Sequence, residues 1–506
     1  MESGFLDLYL LGWGHVLQPA TLFFMAAGVF LGIMFGAMPG LTANMGVAIL
    51  VPFTYTMPPI TAILTLCSVY IGAVYGGSVS AALINIPGTP AALMTTMDAY
   101  PMSQRGEAGK ALGLATTASF LGGLISVILL ALFAPGIAKV AAKFRSQEYF
   151  AVAFLGLSVV AYVSGENLVR GIVSALWGLF VACIGVDLAT GYLRFTMGMP
   201  NLITGVEFVP LLIGLFGLSE IFEQVVSGGY LKTTVQRLDR VLPSLSQFVT
   251  HFWTVIRSAV IGVFIGAVPG AGATIAAIVA YGQQKRFSKE PEKLGTGAAD
   301  GIIAPETANN ACTGGAMMTM LSLGIPGDSV TAILIGALIL HGIRPGPLLF
   351  RQEPELVSSI FIGMFLANIM MFIIGISCAK IFARLISLSK GILLPTVVVL
   401  ASLGAYAIRN NPFDIGVMLV FGFLGFFMTR LRIPKAPLVL GVILGPMMEE
   451  NLRRAIQLNK GNLLSTINSF LQSPISVIIL GASLLILFLP LLQQISWAGM
   501  SKKEKG

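Results

Sequence analysis

Two short stretches, GAMPGLTAN from Gly36 to Asn44 and GAVPGAGAT from Gly266 to Thr274, put a Pro-Gly pair into otherwise apolar sequence. Proline withdraws a backbone donor and disrupts the preceding helical turn, while glycine admits conformations closed to other residues. A helix broken in this way exposes N–H and C=O groups, and in hydrocarbon each unpaired group costs several kcal/mol. Such a break persists only where protein, water or a bound solute satisfies it. A membrane carrier has a use for this, because backbone opened at bilayer depth grips a polar solute. The apolar stretch from Leu17 to Phe53 is too long for one straight span, which takes about 20 residues at a rise of about 1.5 Å each. With the break near its middle, it reads as two half-helices.

The composition agrees. Of 506 residues, 56% are hydrophobic and 10% charged, and the mean hydropathy is +0.88. These values describe a polytopic, all-α membrane protein. Apolar runs recur from Thr21 almost to Pro490 and leave no stretch for a water-soluble catalytic domain. The net charge of +8 comes from Lys and Arg in short loops and tails, a pattern of membrane topology and not of nucleic-acid binding. No Lys or Arg precedes Arg105, so the amino terminus lacks the basic region of a secretory signal and is expected to stay attached. From Lys502, Lys503 and Lys505 the carboxyl terminus is expected to lie in the cytoplasm. Cys67, Cys183, Cys312 and Cys378 are scattered as small core residues, and His15, His251 and His341 stand apart from one another. That pattern supports neither a metal nor a haem site, and a sodium ion is the one metal left open.

A second matched element follows each break: YGGSVSAALINIPGTP from Tyr75 to Pro90, and TGGAMMTMLSLGIPGDS from Thr313 to Ser329. The breaks are 230 residues apart (Gly36 to Gly266) and the Ile-Pro-Gly elements 239 (Ile86 to Ile325), which places an insertion of about nine residues within Gln284 to Lys293. Leu121 to Ala134 echoes Phe361 to Ile374, and LLIGLFGLSE ending at Glu220 echoes LVLGVILGPMMEE ending at Glu450. The reading is two pseudo-symmetric repeats: residues 1–227, a linker over 228–250, residues 251–472, and an additional terminal helix with a basic tail over 473–506. Lys285, Arg286, Lys289 and Lys293 follow the second break, whereas the loop from Pro52 to Ile60 has no basic residue. This charge difference favours an inverted arrangement, a hallmark of secondary transporters.

A half-helix that begins at a break aims its positive end and free N–H groups at the gap, which suits a carboxylate. Pro39, Gly40, Leu41, Thr42 and Asn44, with Pro269, Gly270, Ala271, Gly272 and Thr274, are therefore the candidate substrate-binding residues, and Asn309 and Asn310 are counted with them. Oxygens of the second elements suit a coupling cation, with Ser78, Asn85, Pro87, Gly88, Thr89, Thr313, Pro326, Gly327 and Asp328 as candidates. A lone Pro-Gly is a simple kink and a lone GxxxG a packing face; ordered duplication favours the site. Glu166, Asp187, Arg194, Glu207, Glu220, Asp300, Glu306 and Arg409 also interrupt apolar sequence, and such residues are functional candidates by default. Asp187 and Arg194, in glycine-broken GVDLATGYLRFTMG, read as structural. Glu306, in APETANNA beside paired asparagines, is open to either reading.

FGAMPGLTANMG, YGGSVSAALINIPGTP, GVDLATGYLRFTMG, GLFGLSE, GAVPGAGATIAAIVAYGQQKR and the segment from APETANNA through GIPGDS together resemble the large permease subunit of the tripartite tricarboxylate transporters, from about Gly28 to Asn451. The resemblance implies a multi-pass protein of the bacterial inner membrane, working with a small integral-membrane subunit and a periplasmic solute-binding protein that delivers a carboxylate. It implies a sodium or proton gradient as the driving force, without a further cofactor; an elevator-like carrier is the expectation by analogy with other carriers built on broken hairpins. No GxxxxGK[ST] phosphate loop is present, in keeping with that energy source. A homodimer is the oligomeric expectation. Two other classes stand against this reading: a channel or exporter without a binding protein, and a membrane-embedded enzyme, which needs a nucleophile with its base or a metal cluster at bilayer depth.

Overall fold

The computed structural model describes residues 12–163, 167–187, 189–227, 238, 241, 245–386 and 390–503. Glu166, most of the expected linker between Gly228 and Phe248, and Lys505 lie outside the described residues. Among the described residues six helices are long and apolar enough to cross a membrane, and the bent pair Leu463–Gln472 and Pro474–Phe488 makes a seventh if counted as one span. The chain is a multi-pass membrane protein.

Two compact units cut across the expected boundaries at 227, 250 and 472. One comprises Met1–Lys139 and Phe208–Phe426, the other Val140–Glu207 and Phe427–Gly506, so each half of the sequence feeds both. The echo between the segments ending at Glu220 and Glu450 is not matched in placement, since those residues belong to different units. Glycine-spaced apolar helix is a general membrane pattern, and likeness of that kind carries little positional information.

The first unit carries all the Pro-Gly elements. Helix α1 (Pro19–Ala37) leads to the first break and α2 (Ala43–Thr54) follows it; α3 (Pro59–Ile84) then ends in a turn over residues 86–89. A 3-10 turn (Pro90–Ala92), α4 (Leu93–Met102) and α5 (Ala108–Ala141) complete the series. The order recurs as α6 (Phe252–Gly266), a break, α7 (Gly272–Phe287), α8 (Ala299–Leu323), a turn over 325–328, α9 (Ser329–Leu340) and α10 (Pro354–Ser377). The Leu17–Phe53 stretch is not two half-helices. Pro19 starts α1, which runs 19 residues before Met38 and so comes close to the ~20 needed to cross. The half-length piece is α2, with 12 residues. The expected insertion falls where α7 runs on into the 288–298 connection, against residues 55–58 between α2 and α3.

Glycine sets how closely these helices pack. A Cβ added at Gly32, Gly36 or Gly76 would lie 2.3, 2.1 or 2.4 Å from the carbonyl oxygens of Val69, Ala73 and Ile33. In the other helix pair, a Cβ at Gly262, Gly266 or Gly315 would lie 2.4, 2.3 or 2.1 Å from those of Ala308, Cys312 and Val263. Each of these pairs maps onto its counterpart at the offsets of 230 and 239 that separate Gly36 from Gly266 and Ile86 from Ile325. Small residues let backbones approach where lipid provides no hydrophobic drive between helices. Cys67 in α3 and Cys312 in α8 are buried, and all four cysteines are free.

In the other unit, the helix Ser146–Val163 packs on Ala436–Leu458 and on Pro474–Lys503, which contains the expected terminal span. The all-α expectation meets an exception here: β1 (Gly185–Val186) and β2 (Leu193–Arg194) pair antiparallel. Asp187 accepts from the Ala189 N–H (2.9 Å) and pairs with Arg453 (2.8 Å), which pulls its carboxyl down to about 2. Arg194 pairs with Glu449 (2.7 Å). Both residues are structural, as their glycine-broken surroundings suggest.

The turns after α3 and α8 rest on the same close approach. A Cβ at Gly88 would lie 2.0 Å from the Gly36 oxygen, and one at Gly327 would lie 2.2 Å from the Gly266 oxygen. Gly88→Ala and Gly327→Ala are each expected to destabilise the protein by about 1–3 kcal/mol, the range for overpacking. The check is the melting temperature in detergent, with Gly14→Ala as control because that position has nothing within 4 Å.

Candidate substrate site

After each long helix the chain doubles back. Helix α3 ends at Ile84 with Asn85 in the left-handed region (φ 58), and α8 ends at Leu323 with Gly324 at φ 73. Asn85 is exposed, and the turn accounts for it, since Asn is among the few residues that tolerate this conformation. Beyond it, the Gly88 N–H donates to the Gly77 carbonyl (3.2 Å). Gly77 lies seven residues before Ile84, so the return covers about 10 Å of helix. A Cβ at Gly327 would likewise lie 2.5 Å from Ala316 Cα, seven residues before Leu323. Residues 86–89 and 325–328 are therefore re-entrant, and they bring the starts of two helices back toward the breaks.

The two breaks open backbone as their sequence demands. Gly40 has φ 90, and its carbonyl accepts from the Gln224 amide. Gly270 has φ 76, and its N–H donates to the Gly327 carbonyl (2.7 Å), which ties the break after α6 to the turn after α8. Gly272, at φ 66, approaches the Asp328 side chain at 3.7 Å for an added Cβ. Pro39, Pro269, Ala271 and Thr274 are half-buried along these segments, while Leu41 is fully buried.

Four helix starts result, and they fall into two kinds. Thr42 caps α2, accepting from the Met45 N–H (3.2 Å). Asp328 caps α9 in a reciprocal capping box with Thr331, an arrangement that satisfies orphan donors at a helix start. Its Oδ1 accepts from the Thr331 N–H and hydroxyl (both 2.8 Å), and its Oδ2 accepts from Tyr70 of α3 (2.5 Å). Helices α2 and α9 pack together, and the Ser329 hydroxyl donates to Asn44 Oδ1 (2.9 Å). The other two starts carry no side-chain cap: Ala271 precedes α7, and Thr89 precedes the 3-10 turn into α4. These two also pack against each other. Thr89 Oγ1 is buried without a hydrogen-bond partner.

A carboxylate fits the second kind of start and not the first. Uncapped N–H groups and the positive end of a helix attract an anion, whereas at α9 the Asp328 carboxylate already occupies that place. The structure thus brings Thr89, Gly270 and Gly272 into one region and commits Thr42, Asn44 and Asp328 to caps and cross-half bonds.

Several expected residues lie elsewhere. Asn309, Asn310 and Thr313 are fully buried within α8, where Asn309 donates to the Val74 carbonyl (3.3 Å) and Thr313 to that of Asn310 (2.7 Å). Glu306, also fully buried in α8, accepts from Thr95 of α4 (2.5 Å) and Ser119 of α5 (2.9 Å). Ser78 adjoins this carboxylate. Asp300 pairs with His251 (2.7 Å), and Arg409 pairs with Asp414; Glu207 and Glu220 also engage neighbours.

Tyr70, Gln224 and Asp98 were not singled out from the sequence. Asp98, fully buried in the middle of α4, accepts from the N–H groups of Gly295, Gly297 (2.8 Å) and Ala298 (2.7 Å) and from Tyr281 (3.0 Å). These donors lie at and just before the start of α8, whose own N-cap residue is an alanine. An acid inside neutral sequence is a readable signal for Asp98. No signal marks Gln224, whose partner is a backbone carbonyl 184 residues away.

Residues 22–440 match the family described as the tripartite tricarboxylate transporter TctA family. One relative, described as an uncharacterized 52.8 kDa protein in the TAR-I ttuC′ 3′ region of Agrobacterium vitis, is 36% identical over 495 residues, covering 98% of this chain and 97% of its own length. A second, described as an uncharacterized protein in the TAR-II ttuC′ 3′ region of the same organism, is 37% identical over 234 residues, covering 46% of this chain and 95% of its own length. No solved structure matches the chain significantly.

The division into capped and uncapped starts is open to test. Asp328→Ala is expected to destabilise by about 1–2 kcal/mol, the usual cost of losing an N-cap, while Asp328→Asn retains most of the stability because Asn caps equally well. Thermal melts of the two purified variants provide the comparison, and equal losses would contradict the capping role.

Proposed function

Because the chain belongs to the tripartite tricarboxylate transporter TctA family, we propose that it is the permease of a binding-protein-dependent secondary transporter that imports a carboxylate, citrate or a related organic acid. Its partners in this reading are a small integral-membrane subunit and a periplasmic solute-binding protein. A sodium or proton gradient drives uptake. The protein resides in the bacterial inner membrane with its carboxyl terminus in the cytoplasm, is not an enzyme, and works as a homodimer.

One observation carries the substrate class. The starts of α7 and of the Pro90–Ala92 turn are the two without side-chain caps among the four re-entrant or broken segments, and they pack on each other. Here a carboxylate meets the free N–H groups at the start of α7 and the Thr89 hydroxyl with no buried lysine, and binding that is not too strong permits release. The matched glycine contacts at Gly36 and Gly266 support two repeats of common origin, and the basic residues after the second break, which the loop after the first lacks, support their inversion. With the breaks gathered in one compact unit, an elevator-like movement of that unit through the membrane fits the architecture by analogy.

Uptake of labelled mono-, di- and tricarboxylates by proteoliposomes containing the full complex, with and without a sodium gradient, tests this function. Gly270→Leu abolishes uptake while leaving membrane insertion intact, because a branched side chain at φ 76 is strained and fills the space where solute meets backbone. Normal uptake by a correctly inserted Gly270→Leu protein would refute the site.

A further inference from the structure

Among the described residues, one turn of α8 carries a buried carboxyl with no cationic partner and a buried amide with no hydrogen-bond partner. Glu306 is completely buried, and the groups that hydrogen-bond to it, Thr95 and Ser119 with Ser78 beside them, are neutral hydroxyls. Helices α8, α3 and α4 contain no Lys or Arg, and of the basic residues on the other neighbouring helices Arg257 of α6 donates to Gln284 and Lys110 of α5 pairs with Glu107. Four residues on, Asn310 is also completely buried, and both its Oδ1 and its Nδ2 lack a hydrogen-bond partner. The Oδ1 of Asn309 is unpartnered as well.

Residues four apart share a helix face, with Cβ atoms about 5–6 Å apart. Side chains tilt toward the helix N-terminus, so Asn310 leans over the turn that bears Glu306. An unpaired buried amide is costly and an unpaired buried charge more so, so a group that satisfies both at once is favoured. A proton on Glu306 neutralises the carboxylate but leaves the Asn310 oxygen bare. A monovalent cation neutralises the carboxylate and takes the amide oxygen as a ligand in the same step.

We propose that Glu306 and Asn310 form a buried sodium site in the middle of α8, with Asn309 Oδ1 as a further oxygen and Thr95 and Ser119 as positioning residues that orient the carboxylate. It rests on the transporter reading and gives the coupling ion a place separate from the substrate. Glu306 lies ten residues before Ala316, the residue that Gly327 touches, which is about 15 Å along the helix. The site replaces Asp328 as the acidic ligand, since that carboxylate is engaged by Thr331 and Tyr70. It also gives Ser78, an expected ion residue, a place beside Glu306.

The test is equilibrium binding of radioactive sodium to the purified full-length chain in detergent, with no carboxylate or partner present. Wild-type protein binds sodium saturably, and Glu306→Gln and Asn310→Ala each weaken binding by about tenfold or more, roughly 1.4 kcal/mol. Sodium also raises the melting temperature of the wild type relative to choline, and this shift is lost in both variants. Should Glu306→Gln fail to fold, Asn310→Ala and Ser119→Ala carry the comparison. Wild-type affinity in a folded Glu306→Gln protein, or no saturable sodium binding by the wild type, overturns the proposal. Carboxylate uptake in proteoliposomes separates the two readings: sodium binding without uptake contradicts the transporter, and uptake without sodium binding contradicts this site alone.

Discussion

Everything in the first compact unit follows from one constraint: backbone N–H and C=O groups have no water to pair with at bilayer depth. Four interruptions of helix sit in apolar sequence, and each is answered locally. The Gly270 N–H finds the Gly327 carbonyl, the Gly40 carbonyl finds Gln224, and the Gly88 N–H finds the Gly77 carbonyl. Those bonds require backbones to approach within a distance that a Cβ would forbid, which is why glycine recurs at Gly36, Gly88, Gly266 and Gly327. Close packing and open backbone are two consequences of the same residues.

The interruptions are not equivalent, and their differences assign different work. Where a side chain caps the helix start, as at Thr42 and Asp328, the end is closed and the two capped starts are tied by Ser329 and Asn44. Where no side chain caps the start, before α7 and at Thr89, lies the proposed place of the substrate anion. The Glu306 carboxylate lies deeper along α8 among hydroxyls. An anion at the tips and a cation within the helix would allow the two charges to be bound without direct contact, a useful arrangement for coupled transport.

Much of this was legible in the sequence because Pro and Gly act through local geometry. The two breaks, the two Ile-Pro-Gly turns, their order and the place of the longer connection after α7 all follow from residue chemistry that needs no partner. What was not legible depends on pairing across distance. Tyr70 meets Asp328, 258 residues later, and no pattern in either segment announces it. The same pairing is why Asp328 reads from sequence as an ion ligand when its carboxylate is engaged as a cap. Asn85 looked like a polar ligand, yet its left-handed backbone is sufficient reason for it. The two half-helices expected between Leu17 and Phe53 became one near-full helix and one short one, since Pro19 sets where α1 begins. Compact units could not be read at all, because the excursion over residues 140–207 has the same apolar composition as the rest.

The central claim is that an anionic substrate binds between the uncapped starts of α7 and of the Pro90–Ala92 turn. An experimental density map of the full-length protein with a bound tricarboxylate tests it most directly. The account predicts a carboxylate density within hydrogen-bond distance of the Thr89 hydroxyl and of the first N–H groups of α7. Density at the capped pair, between Thr42 and Asp328, or away from all four starts, would contradict it.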